Sequence, residues 1–162
     1  MTTPTTLIQY HAWAGKKVLE RLMALDDASL TKDFGGSFPS IRLTTLHVLQ
    51  ADYRWLHRFK GKPIVEIPNG WNDANTRTMI TTLLGIHQEM IQQVKSMTDI
   101  NQLIRFTTAK GTTHEMPFDV LLTHVVNHGT YHRGQLVNMI RMAGAEAVGT
   151  DYFLYWLERN GG

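Results

Sequence analysis

Apolar residues recur at steps of three and four in four long segments of the chain, and polar stretches rich in Gly, Pro and Thr separate them. Side chains at that spacing share one face of a helix, so each segment predicts an amphipathic helix. The first runs from about Thr5 to Leu25, starts at a Thr and Pro cluster, and aligns Leu7, Tyr10, Trp13, Ala14, Val18, Leu22 and Leu25 before DDASL. After the loop TKDFGGSFPS, the second begins near Ser40 and ends at Gly61, with Pro63 beyond it and a stripe of Leu46, Leu49, Tyr53 and Leu56. The third, about Asp73 to Met97, carries Met79, Leu83, Ile86, Met90, Val94 and Met97. Residues 103 to 116, LIRFTTAKGTTHEM, break the rhythm. Their β-favouring residues flank Lys110 and Gly111, which predicts a short hairpin or an extended excursion. Pro117 then suits the first turn of a fourth helix that reaches Ala143 and stops at Gly144. The aromatic tail GTDYFLYWLERN is read as a short closing helix. Four helices of this length in one domain, residues 1 to 162, predict an all-α four-helix bundle.

Composition narrows what such a bundle can do. A chain of 162 residues can bury roughly 70% of its unfolded surface, so it needs no covalent help to form a core. Sixteen Lys and Arg against fourteen Asp and Glu leave a net charge of +2, and the basic residues are scattered. Neither nucleic acid nor an anionic membrane has a footprint here. The absence of cysteine rules out disulfides, thiolate metal sites and a cysteine nucleophile within the chain. Any metal must therefore be held by nitrogen and oxygen. No segment approaches the roughly 18 apolar residues of a membrane span, and the N-terminal residues do not form a secretion signal, so the expected location is cytoplasmic.

The chemistry is concentrated in HVVNHGTYHRGQL, residues 124 to 136. On the core face of the fourth helix, Phe118, Leu121, Val125, His128, His132, Leu136 and Met139 follow one another by threes and fours, so two histidines replace leucines in the stripe. Burying a polar group without a partner costs roughly 1 to 3 kcal/mol. Two imidazoles one turn apart must then bond to side chains or backbone carbonyls, or share a cation. A third ligand would come from a facing helix, and His47, beside the second stripe with Leu43, Gln50 and Arg54, is the candidate. His57 near a helix C-terminus, His87 one step off the third stripe, and His114 in the excursion show no ligand spacing. Tyr10 and Trp13 are read as core. Tyr131 and Arg133 are assigned to packing or a dimer surface, and Gly134 to a close helix contact.

HVVNHGTYHRGQL closely resembles the fourth-helix signature of the DinB family, DNA-damage-inducible proteins of metalloenzyme type. The resemblance extends to YHAWAGKKVLE, LHVLQADYRWL and the aromatic tail, covering nearly the whole chain. It implies a DinB/YfiT-like bundle of up-down-down-up order, frequent homodimers, and a divalent metal held by His47, His128 and His132. His11 departs from the Asn often found at its position, and its role stays open. His124 could be a donor to a ligand, a fourth ligand or a capped surface residue, and the last is preferred. The exposed aromatic residues expected in the tail, Tyr152, Phe153, Tyr155 and Trp156, agree with a homodimer.

Three neutral ligands leave a fourth position open, as in catalytic zinc sites, where the dipositive charge lowers the pKa of a bound water to about 7. Zinc and nickel both suit imidazole. With no acid inside the fourth-helix motif, the H-E-x-x-H mechanism is unsupported, and a base would come from a water positioned by Gln50 or from an Asp that the sequence does not place. The resemblance implies activation of a low-molecular-weight thiol or of water, for transfer or hydrolysis of an unidentified small-molecule substrate. The alternative is a noncatalytic metal-binding bundle.

Overall fold

Three of the four long helices begin where a side chain can satisfy a free amide of the first turn. The structure is a computed structural model that describes residues 3–161. Helix α1 (Pro4–Met23) is capped by Thr3, whose side chain accepts from the Thr6 amide, with Pro4 in the first turn. A one-turn helix, α2 (Asp27–Thr31), follows where the sequence predicts only loop, and Asp26 caps it through the Ser29 amide. Local capping chemistry accounts for α2, which is too short for periodicity to reveal. Ser40 caps α3 (Ile41–Phe59) and Asn75 caps α4 (Thr76–Ser96). Strands β1 (Leu103–Thr107) and β2 (Thr113–Pro117) form an antiparallel hairpin in which Ile104 pairs with Met116. Its turn uses Gly111 at φ +82°, the left-handed region that costs glycine least. The hairpin leads directly into α5 (Phe118–Met142), and Gly144 stops α5 as expected.

The four long helices close a ring in which α1 and α3 each pack against both α4 and α5. The expected four-helix bundle is therefore the architecture that forms. Its core draws on every long helix, with Ile8, Leu22, Leu49, Leu56, Met79, Leu83, Phe118 and Leu122 almost wholly enclosed. In α3 the face turned inward is Thr45, Val48, Leu49, Asp52, Trp55, Leu56 and Phe59, rotated from the expected stripe so that Leu46 and Tyr53 are only partly buried. That rotation carries a carboxylate, Asp52, into the middle of the bundle.

The tail forms helix α6 (Tyr152–Arg159) on the outside of α1. Tyr155 is not exposed as expected, because its ring packs 5.5 Å from Trp13 and 5.7 Å from Tyr10 in a small second apolar cluster. Phe153 and Trp156 do face solvent. No helix among the described residues is long and apolar enough to cross a membrane.

Candidate metal centre

The spacing of His128 and His132 places both rings on the side of α5 that meets α3, where His47 faces them. The Nε2 atom of His128 lies 3.1 Å from Nε2 of His47 and 3.1 Å from Nε2 of His132. Three nitrogens thus converge on one point from two helices. Ligands about 2.0 to 2.1 Å from a tetrahedral ion are separated from each other by about 3.3 Å, close to the observed spacings.

Hydrogen bonding alone does not account for this convergence. An imidazole nitrogen carries one hydrogen or one lone pair in its ring plane, never both. His132 Nδ1–H donates to the side-chain oxygen of Gln135 at 2.7 Å, which leaves the Nε2 lone pair of His132 aimed at the cluster. If His128 turns an Nε2–H toward it, nothing remains for a second full bond to His47. If His128 turns a lone pair, two lone pairs meet at 3.1 Å. A cation accepts all three lone pairs at once. The Gln135 contact is also the outer hydrogen bond that fixes the tautomer and ring plane of a metal-binding histidine.

The electrostatics favour neutral, ligating rings. Burial, followed by the neighbouring His132, lowers the His128 pKa to about 4. Burial, then His132 and Arg54, also lowers that of His47. Phe38, in the loop before α3, stacks on the His47 ring at 4.2 Å and meets the His132 ring edge-on at 5.9 Å. Tyr131 is exposed at the rim, 5.0 Å from the His132 ring. His124 stays outside the cluster: it is exposed, with its ring 5.9 Å from His128 and 5.2 Å from Trp55. One amide hydrogen of Gln50 is donated to the side-chain oxygen of Asn72 at 3.1 Å.

A second group of titratable residues lies deeper, and the sequence reading missed it. His11 of α1 and His87 of α4 place their Nε2 atoms 3.2 and 2.9 Å from the same oxygen, Oδ2 of Asp52 in α3. All three residues are fully enclosed. Burial raises the tendency of Asp52 to hold a proton, yet the charge and hydrogen bond of His11 and the bond from His87 outweigh it and keep the carboxyl well below the usual carboxylate range. Burial holds the His11 imidazole below its ordinary value against the pull of Asp52. The consistent assignment is an Asp52 carboxylate whose Oδ2 accepts from the Nε2–H groups of both His11 and His87. On the other side of His11, the Arg133 guanidinium donates to Nδ1 at 3.4 Å, and it also donates to Thr130 at 2.8 Å.

Of the two readings of Arg133, packing is the one the bundle uses, and the assignment of the close helix contact to Gly134 is corrected. Arg133 is only 5% exposed, because the α5 face that meets α1 lies inside the bundle. The close helix contact belongs to Gly129 rather than Gly134. A Cβ at Gly129 would stand 2.4 Å from His11 Cε1, whereas one at Gly134 would meet nothing within 4 Å. The signal for Asp52 was present in its position three and four residues from Trp55, Leu56, Leu49 and Val48, which makes it a core position filled by an acid.

The model of the DinB family matches residues 1–159. Protein DinB of Bacillus subtilis (strain 168) is 28% identical over 156 residues, a match spanning 92% of this chain and 91% of that protein. The crystal structure of a DinB-like protein from Bacillus cereus ATCC 10987 superposes with a TM-score of 0.66 at 20% identity, covering 89% of this chain and 95% of the other. YfiT from Bacillus subtilis, described as a probable metal-dependent hydrolase with an unusual four-helix bundle topology, superposes with a TM-score of 0.68 at 15% identity over 88% of this chain and 89% of its own. At those identities the two structures speak for the fold, and the match along nearly the entire sequence makes this chain a member of the DinB family.

Proposed function

We propose that this chain is a metal-dependent enzyme in which His47, His128 and His132 hold one divalent ion, zinc or nickel by ligand type. The observation that carries the reading is the convergence of three Nε2 atoms whose lone pairs and hydrogens cannot satisfy one another. The description of YfiT as a probable metal-dependent hydrolase agrees with it. In metal analysis, wild-type protein should carry about one equivalent per chain, and His128→Ala and His132→Ala should each lose most of it. Equal metal content in all three proteins would remove the site.

Bound there, a dipositive ion supplies Lewis acidity that favours deprotonation of a coordinated water or thiol. The chain contributes the rest. Gln135 holds the His132 tautomer, burial keeps His47 and His128 neutral, and Phe38 supplies an apolar wall against His47. Asp52 is committed to His11 and His87, so it is not a free base at the three-histidine site. A low-molecular-weight thiol suits this arrangement, since the chain has no cysteine of its own and a cation beside a sulfur promotes the thiolate. Titrating cobalt-substituted protein with several thiols should produce an intense near-ultraviolet charge-transfer band that is absent from His47→Ala. No band at millimolar thiol would leave water activation and hydrolysis.

A noncatalytic metal-binding bundle is the second reading, favoured by the Phe38 ring lying over His47. Phe38→Ala separates the two. In an enzyme it changes access and turnover, and in a closed binding module it changes only the rate of metal exchange.

A further inference from the structure

We propose that His11, Asp52, His87 and Arg133 form a positioning clamp for the three-histidine site and are not a second metal site. The inference rests on metal binding by His47, His128 and His132. Its starting point is the contrast between the two clusters. The three-histidine cluster leaves a nitrogen contact that hydrogen bonds cannot satisfy. The buried cluster has no such conflict at its shared atom: Asp52 Oδ2 has two lone pairs, and two Nε2–H groups fill them at 3.2 and 2.9 Å, while the atoms left without a partner among the described residues, Asp52 Oδ1 and His87 Nδ1, lie outside that contact. A cation bound by the same three atoms would require both histidines to move their hydrogen to Nδ1. On His11 that hydrogen would confront the Arg133 guanidinium, a group with no acceptor, 3.4 Å away. The positive charge of Arg133 opposes a cation further.

The clamp takes one residue from each long helix: His11 from α1, Asp52 from α3, His87 from α4 and Arg133 from α5. Two of these helices carry the metal ligands. Arg133 directly follows His132, Gly129 directly follows His128, and Asp52 lies on the helix of His47. Apolar packing alone tolerates small rotations of a helix, whereas a hydrogen-bonded network with one satisfactory arrangement does not. The glycines tighten the fit. A Cβ at Gly15 would lie 2.6 Å from His87 Cε1, and one at Gly129 would lie 2.5 Å from His11 Nδ1, so α1 and α5 approach these rings with bare backbone. Rotating α5 to misalign His128 and His132 would also draw Arg133 away from its two partners on α1, His11 and the Tyr10 hydroxyl, each 3.4 Å away.

The test measures metal affinity in variants of the full chain whose folding is checked by circular dichroism. Asp52→Asn keeps the shape of the side chain but removes the charge and one acceptor oxygen, and His87→Leu removes one donor while leaving Asp52 ionised. Both should weaken zinc binding by about tenfold, the low end of what outer partners of a metal site contribute, because the clamp acts through helix position and touches no ligand, and should change the visible cobalt spectrum. Ile80→Ala, a core cavity outside the clamp, provides the comparison: it should lower stability without altering zinc affinity or the cobalt spectrum of the folded protein. Zinc affinity and cobalt spectra unchanged from wild type in whichever clamp variants fold would overturn the proposal. So would two metals per wild-type chain with the second lost in His87→Leu. Wild-type protein that binds no metal at all would instead fail the underlying three-histidine reading, and the clamp's role with it.

Discussion

Gly129→Ala should destabilise the protein by about 3 kcal/mol, although intrinsic helix propensity alone favours the change by about 1 kcal/mol. Gly129 lies inside α5 and is buried. The new methyl group would stand 2.4 Å from His11 Cε1, 2.5 Å from His11 Nδ1 and 2.8 Å from Arg133 Nη1. These atoms are not the loose ends of surface side chains. The His11 ring is held between Asp52 and Arg133, so making room for a methyl breaks bonds to buried charges. Steric cost and lost bonding both outweigh the propensity gain. For a domain of this size the loss corresponds to a fall in melting temperature of roughly 6 to 12 °C. Gly134→Ala, five residues along the same helix, meets nothing within 4 Å and should stabilise by up to about 1 kcal/mol. Adding His11→Ala to Gly129→Ala should recover part of the steric cost, because the two sites are in contact. Melting curves of the four proteins check this, and a Gly129→Ala variant as stable as Gly134→Ala would show that the α1–α5 approach is looser than described.

The same pair of glycines marks the limit of what the sequence made legible. His128 and His132 stood out because a polar residue on an apolar helical stripe is visible within one helix, and His47 was reachable as the histidine beside a second stripe. Capping and turn residues gave the long helices, and Lys110 and Gly111 gave the hairpin. The buried clamp had no comparable signature. Its members lie 35 to 122 residues apart in sequence, and each belongs to a different helix. His87 looked like a residue beside the stripe because α4 buries a broader face than a strict three-and-four rhythm outlines. Arg133 was open between packing and a dimer surface, because single arginines are mostly exposed and nothing within α5 shows which helix it faces. What each does is decided by which helix faces it, and that is a property of the ring α1, α4, α3, α5 rather than of any one segment. Asp52 is the exception, since an acid at the centre of an apolar face was open to notice.

The metal-free protein should lose stability steeply as pH falls from about 6.5 toward about 4, well before ordinary carboxylates titrate. His11, His47 and His128 all have folded-state values below the ordinary 6.5, in each case with burial as the largest cause, and that of His128 falls to about 4. Above about pH 6.5 these rings are mostly neutral in both the folded and the unfolded chain, and they leave stability unchanged. Below it the unfolded chain takes up protons that the folded chain refuses, so the equilibrium moves toward unfolding, and His128 stops adding to the loss once pH passes its folded value. Asp52 acts in the same direction in a lower window. Its carboxyl is depressed in the folded state, so its contribution is present above 3.8 and disappears as pH drops below that. Denaturant titrations in the presence of a chelator, at about pH 7.5, 6 and 5, should therefore show the midpoint falling at each step. Added zinc should raise the midpoint at each of these pH values, because the lowered values of His47 and His128 keep those rings available to the ion in the folded chain, while protons taken up by the unfolded chain's histidines weaken its hold on the ion. A midpoint that stays level between about pH 7.5 and 5 in chelator would mean that these histidines are as well solvated in the folded chain as in the unfolded one, which the enclosure of His11 does not allow.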